Sequence, residues 1–498
     1  MHADRGLGTL LGLLLGALLL GGCDATLPVE PSAGPHQPWV LPESLRAQVK
    51  STLERYGDQP AAARGADQGS DPAALDPAHA YSRGELIDLA QRRNPATRAA
   101  WEQARQAALA TGVPRATLLP RLAASVVGGY QRLSTPVTLP FGGTRTLTTD
   151  VQAVIPILTV EWLLFDFGER TSALEVTDHL ATVARVQFNQ AHQQVVFDVN
   201  RAFNAAGAAG RKEAAAGRAL AAARQVLAAA ETRALRGVGT RIEIAQARTQ
   251  LAQAQLSLVQ AQGEAATARV ALNAALGTPH GTLIRLRDSA EGLPAATAEG
   301  LDQVIARALV QRPDIVAGVA QLQAAQAGER GVAAAFRPKV GLIASLSTGD
   351  NQFSFNGGTT FAVPLQQTGV LIGVTLPLYE GGLRDSRLQS ARSRILSAQA
   401  AVATTRGAAA AEIAAAYEAL RSALAAYHAA DALVAAAGVG AAAARTGFEV
   451  GVSTLTDAAA ADKALLDAEN ARADARRNAF DAAATLAFVT AGLTAEPP

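Results

Sequence analysis

The feature that most constrains this 498-residue chain is an internal duplication. Segments of the first half return in the second half at a nearly constant spacing, which shortens slightly along the chain, as a loop deletion would leave. The matching pairs are Asn94-Pro95 with Arg312-Pro313, Leu119-Pro120 with Arg337-Pro338, residues 165–170 with 379–384, and Gly237 with Gly451. The chain therefore contains two copies of one unit of about 200 residues, and this overrides what its length alone would predict about domain number.

The duplication and its flanks predict the domain boundaries. Proline recurs through the segment after residue 23, which indicates an extended arm. Ser82 followed by Glu85 predicts the cap of the first helix of the first repeat. The predicted boundaries are a signal peptide at 1–22, an arm at 23–80, repeat 1 at 81–278 with a strand hairpin at 121–160, a linker at 279–296, repeat 2 at 297–492 with a hairpin at 339–376, and a tail at 493–498.

Composition and proline spacing predict long helices. Hydrophobic residues make up 49% of the chain and aromatic residues only 4%, so the apolar content is mostly alanine, which favours helix but buries little surface. Segments 170–235 and 384–449 contain no proline, and each would reach roughly 100 Å as a helix. The second segment carries a heptad-like stripe of Ile413, Tyr417, Leu420, Leu424 and Tyr427. Such a helix must cover its stripe with a neighbouring helix or another protomer.

Each repeat also contains two short runs of alternating character. The clearer pair is 339–348 and 369–376, and 122–132 and 149–160 are less regular. About ten residues with one apolar face is the pattern of a transmembrane β-strand. Two soluble hairpins packed on helices would give the same pattern. After the signal segment we expect no helix long and apolar enough to span a membrane, so insertion would be by strands.

Aromatic residues gather where the strand runs give way to helices. These residues are Trp162, Phe165, Phe167 and Tyr379. They predict either a membrane-interface belt or packing at the joint between strands and helices.

The single cysteine of the chain, Cys23, follows the apolar run Leu10–Leu20 and the pair Gly21-Gly22. This arrangement resembles a bacterial lipoprotein signal, in which the cysteine becomes the lipidated first residue. An ordinary cleaved signal with an incidental cysteine is the alternative. Asp24, the next residue, marks retention in the inner membrane in some bacteria. One cysteine also excludes an intrachain disulfide.

Charge and motif content argue against several classes of function. The formal net charge is +1, so a basic surface for nucleic acid is not expected. The seven histidines do not pair at metal-ligand spacing on one helix face, so no metal site is expected. The chain has no serine nucleophile elbow and no phosphate-binding loop. We therefore expect no catalytic residues, and no cofactor beyond the covalent lipid on Cys23.

The lipidation signal, the duplicated order of helix, hairpin, long helix and helix, and the turns at Gly237 and Gly451 together resemble the TolC-like outer-membrane efflux family, lipoprotein type. Residues 164–168 look like the strand-exit motif of that family, and 377–382 like its second copy. The resemblance covers residues 81–492. It implies a mainly α fold with a small β part, in which three protomers each give four strands to a twelve-stranded outer-membrane barrel. Their coiled-coil helices would form a periplasmic α-barrel.

The resemblance also implies a function. The chain would be the outer-membrane component of a tripartite efflux or type I secretion system, a passive conduit coupled through a periplasmic adaptor to an inner-membrane pump. Its partners would be two further copies of itself, the adaptor, the pump and outer-membrane lipid. The alternative is a periplasmic coiled-coil scaffold or adaptor lipoprotein without a closed barrel.

The turns between paired helices carry the predicted site residues. In the family such turns lie at the periplasmic end, where the adaptor docks, although a plain helix–helix turn would carry the same glycines. The matching residues are Arg236, Gly237, Val238, Gly239, Thr240, Val450, Gly451, Val452 and Ser453. Glu243 and Asp457 follow the two turns at matching positions, and acids matching Asp457 line the periplasmic gate of the family, although a solvated helix face with one acid per turn would carry the same residues. A ring of such acids would attract cations and raise its own carboxyl pKa values by repulsion.

The chain departs from the family at this gate. The tyrosine and arginine that tie the gate shut are replaced by Phe448 and Ser453, and a second gate acid is replaced by Ala460. The closed state must therefore be held by other contacts, or less firmly.

Overall fold

A computed structural model of the chain describes residues 76–138, 140–287, 292–295 and 299–492. These residues belong to Gly69–Pro498, one of two units into which the chain divides. The predicted signal peptide, Cys23, most of the arm and the tail lie outside the described residues.

The first repeat contains its elements in the predicted order. They are β1 (Ala80–Tyr81), α1 (Arg83–Arg93), α2 (Pro95–Ala110), α3 (Gly112–Ala116), β2 (Arg121–Thr138), β3 (Thr144–Phe165), α4 (Glu169–Leu235) and α5 (Arg241–Leu276). Ser82 caps α1, and its backbone N–H donates to Glu85 Oε2 at 2.6 Å, which confirms the predicted helix start. Hydrogen bonds from the Ser82 backbone and hydroxyl lower the pKa of Glu85 to about 2.

The second repeat follows the same order. Its elements are β4 (Arg285–Leu286), α6 (Leu301–Gln311), α7 (Pro313–Ala335), β5 (Lys339–Phe355), β6 (Phe361–Thr375), α8 (Leu383–Val450) and α9 (Leu455–Val489). Pro95 and Pro313 take the first position of α2 and α7, where a missing N–H costs no hydrogen bond. β4 lies in the predicted linker and pairs in parallel with β1, so the linker returns to the start of the first repeat.

The two long helices agree closely with the proline-free segments. α4 has 67 residues and α8 has 68, so each extends about 100 Å. α4 packs against α5 and α9, and α9 packs against α8, which gives the order α5-α4-α9-α8. Of the predicted stripe on α8, Ile413 packs with Val304 and Ala308, and Leu420 packs with Leu486.

One expectation about the helices was wrong. α8 contains a stretch that is long and apolar enough to cross a membrane, by length and composition alone. Alanine explains the result, because it raises the hydropathy of a helix without supplying a large side chain. Only 6% of that stretch is buried, and Leu433 and Val439 of α8 are exposed. A single helix of this kind is weak evidence for a membrane span.

The hairpins join into one antiparallel sheet in the order β2-β3-β5-β6. All four strands are longer than predicted, with 18 residues in β2, 22 in β3, 17 in β5 and 15 in β6. The alternating runs in the sequence identified only part of each strand. Toward the turns the pairing continues through polar residues, as between Ser134 and Thr148.

The two faces of this sheet differ in exposure and in chemistry. Exposure alternates along β3 and β5, as expected when a sheet curls and shelters its concave side. We call the less exposed side the sheltered face; in its middle section it carries both polar and apolar residues, which are Thr159, Ser345, Ser347, Asn351, Ala153, Ile155 and Ile157. The opposite side, the open face, carries Val126, Val154, Leu158, Leu346 and Val370.

Candidate functional site at the helix turns

The turn between α4 and α5 is shaped by two glycines with different roles. Gly237 has a φ of +78°, a left-handed conformation that glycine adopts without steric cost. The next residue, Val238, donates its N–H to the carbonyl of Arg233 at 3.1 Å, which satisfies the end of α4. Gly239 allows a close approach, because a Cβ there would lie 2.7 Å from the Ala234 nitrogen.

The turn between α8 and α9 reaches a similar geometry with a different sequence. Gly451 has a φ of +86°, and the N–H of Val452 donates to the carbonyl of Gly447 at 2.7 Å. Ser453 donates its hydroxyl to the carbonyl of Ala444 at 2.9 Å. A Cβ on Gly447 would lie 2.9 Å from Ser453 Oγ, so this serine and this glycine fit each other. In the single chain, Ser453 satisfies its own helix end.

Both predicted gate acids are third residues of helices and close capping boxes. Thr240 donates its N–H to Glu243 Oε2 at 3.1 Å, and Glu243 returns its own N–H to Thr240 Oγ1 at 3.1 Å. Thr454 donates its N–H to Asp457 Oδ2 at 3.0 Å and its hydroxyl to the same oxygen at 2.7 Å. The two acids therefore stabilise the starts of α5 and α9, whatever else they do.

The capping box also affects the charge of Asp457. The hydroxyl and backbone hydrogen bonds from Thr454 lower the pKa of the Asp457 carboxyl. Asp457 and Ala460 are both exposed in the single chain, so the carboxylate projects from the surface of α9. The matched positions of Glu243 and Asp457 follow from the duplication, because each is the third residue after its capping threonine.

A contact between the two repeats lies directly behind these turns. Arg233 Nη1 donates to the carbonyl of Phe448 at 3.1 Å, and the guanidinium carbon lies 5.2 Å from the centre of the Phe448 ring. Phe448 is 1% exposed and packs with Val226, Ala230, Ala247, Leu455 and Ala458. Gly451 leaves room for the guanidinium, since a Cβ there would lie 3.1 Å from Arg233 Nη1.

Sequence reasoning identified Phe448 only as a departure from the family and did not identify Arg233. The two residues lie 215 positions apart, and a single arginine near a helix end suggests no particular partner. The structure shows what the phenylalanine does instead of a tyrosine. It fills a core that joins the ends of four helices, and an arginine from the first repeat covers its ring.

A second ionic contact joins α8 and α9 slightly further from the turn. Arg445 Nε lies 2.8 Å from Asp462 Oδ1, although the two atoms are not oriented for a hydrogen bond. Burial raises the pKa of the Asp462 carboxyl, and the charge of Arg445 offsets part of that effect. Sequence reasoning did not identify this pair either.

Apolar side chains are exposed at both turns. Those exposed at or beside the turns are Leu235, Val238, Ile242, Val450 and Val452. Single exposed apolar residues are common, but Val452 is 86% exposed at the very end of a helix pair. Two matched turns that both expose branched apolar residues provide surface that another protein could cover.

The aromatic residues at the strand-to-helix junction in the first repeat form contacts with their surroundings. Trp162 Nε1 donates to the carbonyl of Leu118 at 3.0 Å, and the rings of Phe165 and Phe167 lie 4.7 Å apart. Asp166 accepts hydrogen bonds from Arg170; burial raises its pKa, but these bonds outweigh burial, so the pKa is lowered. Tyr379, in the second repeat, is 89% exposed.

Within the part of the chain that the structure describes, no group of three or more His, Cys, Asp or Glu side chains could hold a metal ion. The candidate site therefore consists of two capped turns, the contact behind them and their exposed apolar residues.

Comparison with known proteins adds family information. A sequence model of the family described as outer membrane efflux protein matches residues 86–278 and 304–492, nearly the whole of both repeats. Protein CyaE of Bordetella pertussis is 28% identical over 309 residues, and the alignment spans 62% of this chain and 62% of CyaE. The chain therefore spans less than two thirds of that relative.

Solved structures share the fold at low identity. The outer membrane protein VceC of Vibrio cholerae has a TM-score of 0.67 at 20% identity and covers 82% of this chain and 96% of its own. The open state of the Neisseria gonorrhoeae MtrE outer membrane channel has a TM-score of 0.66 at 23% identity, with coverage of 83% and 90%. These likenesses confirm the predicted fold class, mainly α with a small β part.

Proposed function

Because the chain belongs to the outer membrane efflux protein family, as its repeats and turns predicted, we propose that it is the outer-membrane channel of a tripartite efflux or type I secretion system. Three copies would close one barrel in the outer membrane and one helical tunnel in the periplasm. Cargo would cross passively, with energy supplied by an inner-membrane pump that is joined through a periplasmic adaptor. A lipid on Cys23 would anchor each copy to the outer membrane.

The observation that carries this proposal is the pair of open edges in the sheet. β2 and β6 lie at its two ends, so each presents a row of backbone groups that have no partner strand among the described residues. Such edges cannot face hydrocarbon, where every backbone group needs a hydrogen bond. Pairing β6 of one copy with β2 of the next would remove them. Three copies would give twelve strands, an even number as in bacterial barrels.

Strand length and the chemistry of the open face support a membrane position. β2 has 18 residues and β6 has 15, more than the roughly 9–11 that a tilted strand needs to span the membrane. On the open face the apolar residues lie between Trp162 near the helices and Tyr130 toward the turns. An apolar band with aromatic residues at both limits is typical of the lipid-facing side of a barrel.

The helices support an assembly of several copies in the same way. Within the part of the chain that the structure describes, the two end helices of the order α5-α4-α9-α8 each have one flank without a long neighbour. α8 exposes Leu396, Leu433 and Val439 along its length. A neighbouring copy would cover these residues, which accounts for the high apolar content of a helix that is scarcely buried in the single chain.

The turns would then form the periplasmic end. Three copies of Glu243 and Asp457 near one axis would give an acidic constriction that favours cations. The segments Arg236–Thr240 and Val450–Ser453 would dock the adaptor through their exposed apolar residues. The contact between Arg233 and Phe448 would tie the two helix pairs together, where family members use other residues.

Conductance measurements test this proposal against the alternative of a periplasmic scaffold. The full chain, purified from outer membranes, is added to planar lipid bilayers. A channel gives discrete, voltage-stable current steps, and it migrates on gels with a mobility that changes on heating. A scaffold with soluble hairpins gives neither. Absence of current steps from protein that is folded by circular dichroism would reject the channel.

A further inference from the structure

Three phenylalanine side chains meet near the β5–β6 turn. Phe353 and Phe361 pair directly across the two strands, and their stacked ring centres lie 6.0 Å apart. Phe355 stacks on Phe361 at 5.6 Å. Phe355 and Phe361 are 43% and 46% exposed, so the rings leave apolar surface uncovered. We call these three residues the phenylalanine cluster.

The register places this cluster on the sheltered face. Side chains two residues apart on a strand share a face, so Phe353 and Phe355 lie on the side of Ser347 and Asn351. The direct pairing puts Phe361 on the same side. The sheltered face therefore mixes polar and apolar side chains in its middle section and carries three aromatic rings at the end near the β5–β6 turn.

A hydrogen-bonded residue holds the cluster in position. Asn356 follows Phe355 and adopts a left-handed conformation with a φ of +49°. Its N–H donates to the carbonyl of Thr148 at 2.7 Å, and its Oδ1 accepts the N–H of Thr148 at 2.8 Å. The β5–β6 turn is thus fixed to β3, and the rings are presented by a defined surface rather than by a free loop.

We propose that the phenylalanine cluster forms an apolar constriction at the outer mouth of the pore, where it contacts exported solutes that carry aromatic or apolar surface. This inference rests on the proposed function, because three copies must face one axis. The interior of a twelve-stranded barrel is intermediate in width. Side chains can fill the interior of an eight-stranded barrel, whereas porins with more strands enclose an aqueous channel. The three clusters of a trimer would narrow this interior. An apolar constriction hinders the passage of water and ions, and the faces of the phenylalanine rings can stack on aromatic solutes.

The test uses the full-length protein in planar bilayers, with tetraphenylphosphonium as an aromatic probe added on the outer side. We expect the wild type to show current blockades by the probe. The double variant Phe353→Ser/Phe361→Ser should pass potassium chloride with a higher conductance and bind the probe several-fold more weakly, because stacking surface is lost. Phe141→Ser is the matched control, since Phe141 is fully exposed at the turn of the other hairpin. It should behave as the wild type.

The outcomes separate this inference from the proposed function. A conducting wild type whose blockade is unchanged in the double variant overturns the constriction alone. A wild type that never conducts overturns the channel and the constriction with it. If the serine variant does not assemble, Phe353→Leu/Phe361→Leu replaces it. The leucine variant keeps an apolar barrier to ions and should lose only the stacking on the aromatic probe. If the probe blocks its current as strongly as in the wild type, the inference is likewise overturned.

Discussion

At the scale of single residues, the helix turns depend on a contact that crosses between the repeats. Arg233 donates to the carbonyl of Phe448 and covers its ring, and Gly451 leaves the space that this requires. The glycines and the capping threonines could be predicted, because their patterns are local. The arginine contact could not, because its residues come together only when the two helix pairs pack.

Replacing this arginine should loosen the turns. Arg233→Ala removes a charged hydrogen bond and a cation–π contact, and we expect local stability to fall by about 2 kcal/mol. Amide hydrogen exchange in the last turn of α8 should then be roughly 30-fold faster, since 1.4 kcal/mol corresponds to a factor of ten. Arg236→Ala is the control, because Arg236 is exposed just beyond the helix. Equal exchange in both variants would show that the contact stabilises nothing.

Asp457→Asn tests the acidic gate at the same scale. The variant keeps a side chain that can accept the Thr454 hydrogen bonds but removes the charge. We expect lower cation selectivity in the reversal potential measured across a salt gradient, and weaker block by divalent cations. Asp467→Asn is a charge-matched control two to three turns further along α9. Unchanged selectivity in the Asp457 variant would remove this residue from the gate.

The pH dependence of selectivity separates the two roles of Asp457. In the single chain the Thr454 hydrogen bonds lower its pKa below the ordinary 3.8, so a carboxyl that only caps α9 keeps its charge until the pH falls below that value. Its stabilising effect is likewise present above pH 3.8 and lost as the pH falls through the lowered pKa. Three carboxyls near one axis repel one another and raise the pKa. A gate therefore predicts that cation selectivity falls as Asp457 becomes protonated and that Asp457→Asn lacks this pH dependence, whereas the same pH dependence in both proteins would indicate capping alone.

At the scale of elements, the helices were predicted better than the strands. α4 and α8 begin and end within one residue of the proline-free segments, because glycines at or next to both ends of each helix limit them. The strands extend beyond the alternating runs because polar residues such as Ser134 and Thr148 pair across β2 and β3, although such residues suggest a loop. The difference between the two faces of the sheet could be predicted only for the residues within the alternating runs.

The two faces should tolerate charge differently. Val370 lies on the open face of β6 and is 67% exposed, while Gln367 lies on the sheltered face of the same strand. Val370→Lys would place a cation in lipid, at a cost of about 2–4 kcal/mol near the membrane midplane. We expect less heat-modifiable protein in outer-membrane fractions for this variant, and wild-type levels for Gln367→Lys. Equal levels of both variants would contradict a lipid-facing open face.

At the scale of the whole molecule, the described chain has open flanks in both of its parts. The sheet ends in β2 and β6, and the order of the long helices ends in α5 and α8. The duplication accounts for these open flanks, because two similar units placed side by side extend the sheet and the row of helices but leave both ends of each unpaired. Closure needs further copies. The two repeats also differ at their turns, where Arg233 belongs to the first and Phe448 to the second, so their roles in one assembly are unequal.

The number of chains in the native particle tests the central claim most directly. The full chain is extracted from outer membranes in mild detergent, and its mass is measured by native mass spectrometry. We predict a particle of three chains that dissociates to single chains on heating, because three copies give twelve strands and leave no sheet edge. A stable monomer in detergent that retains its strands would contradict closure of the barrel by neighbouring copies.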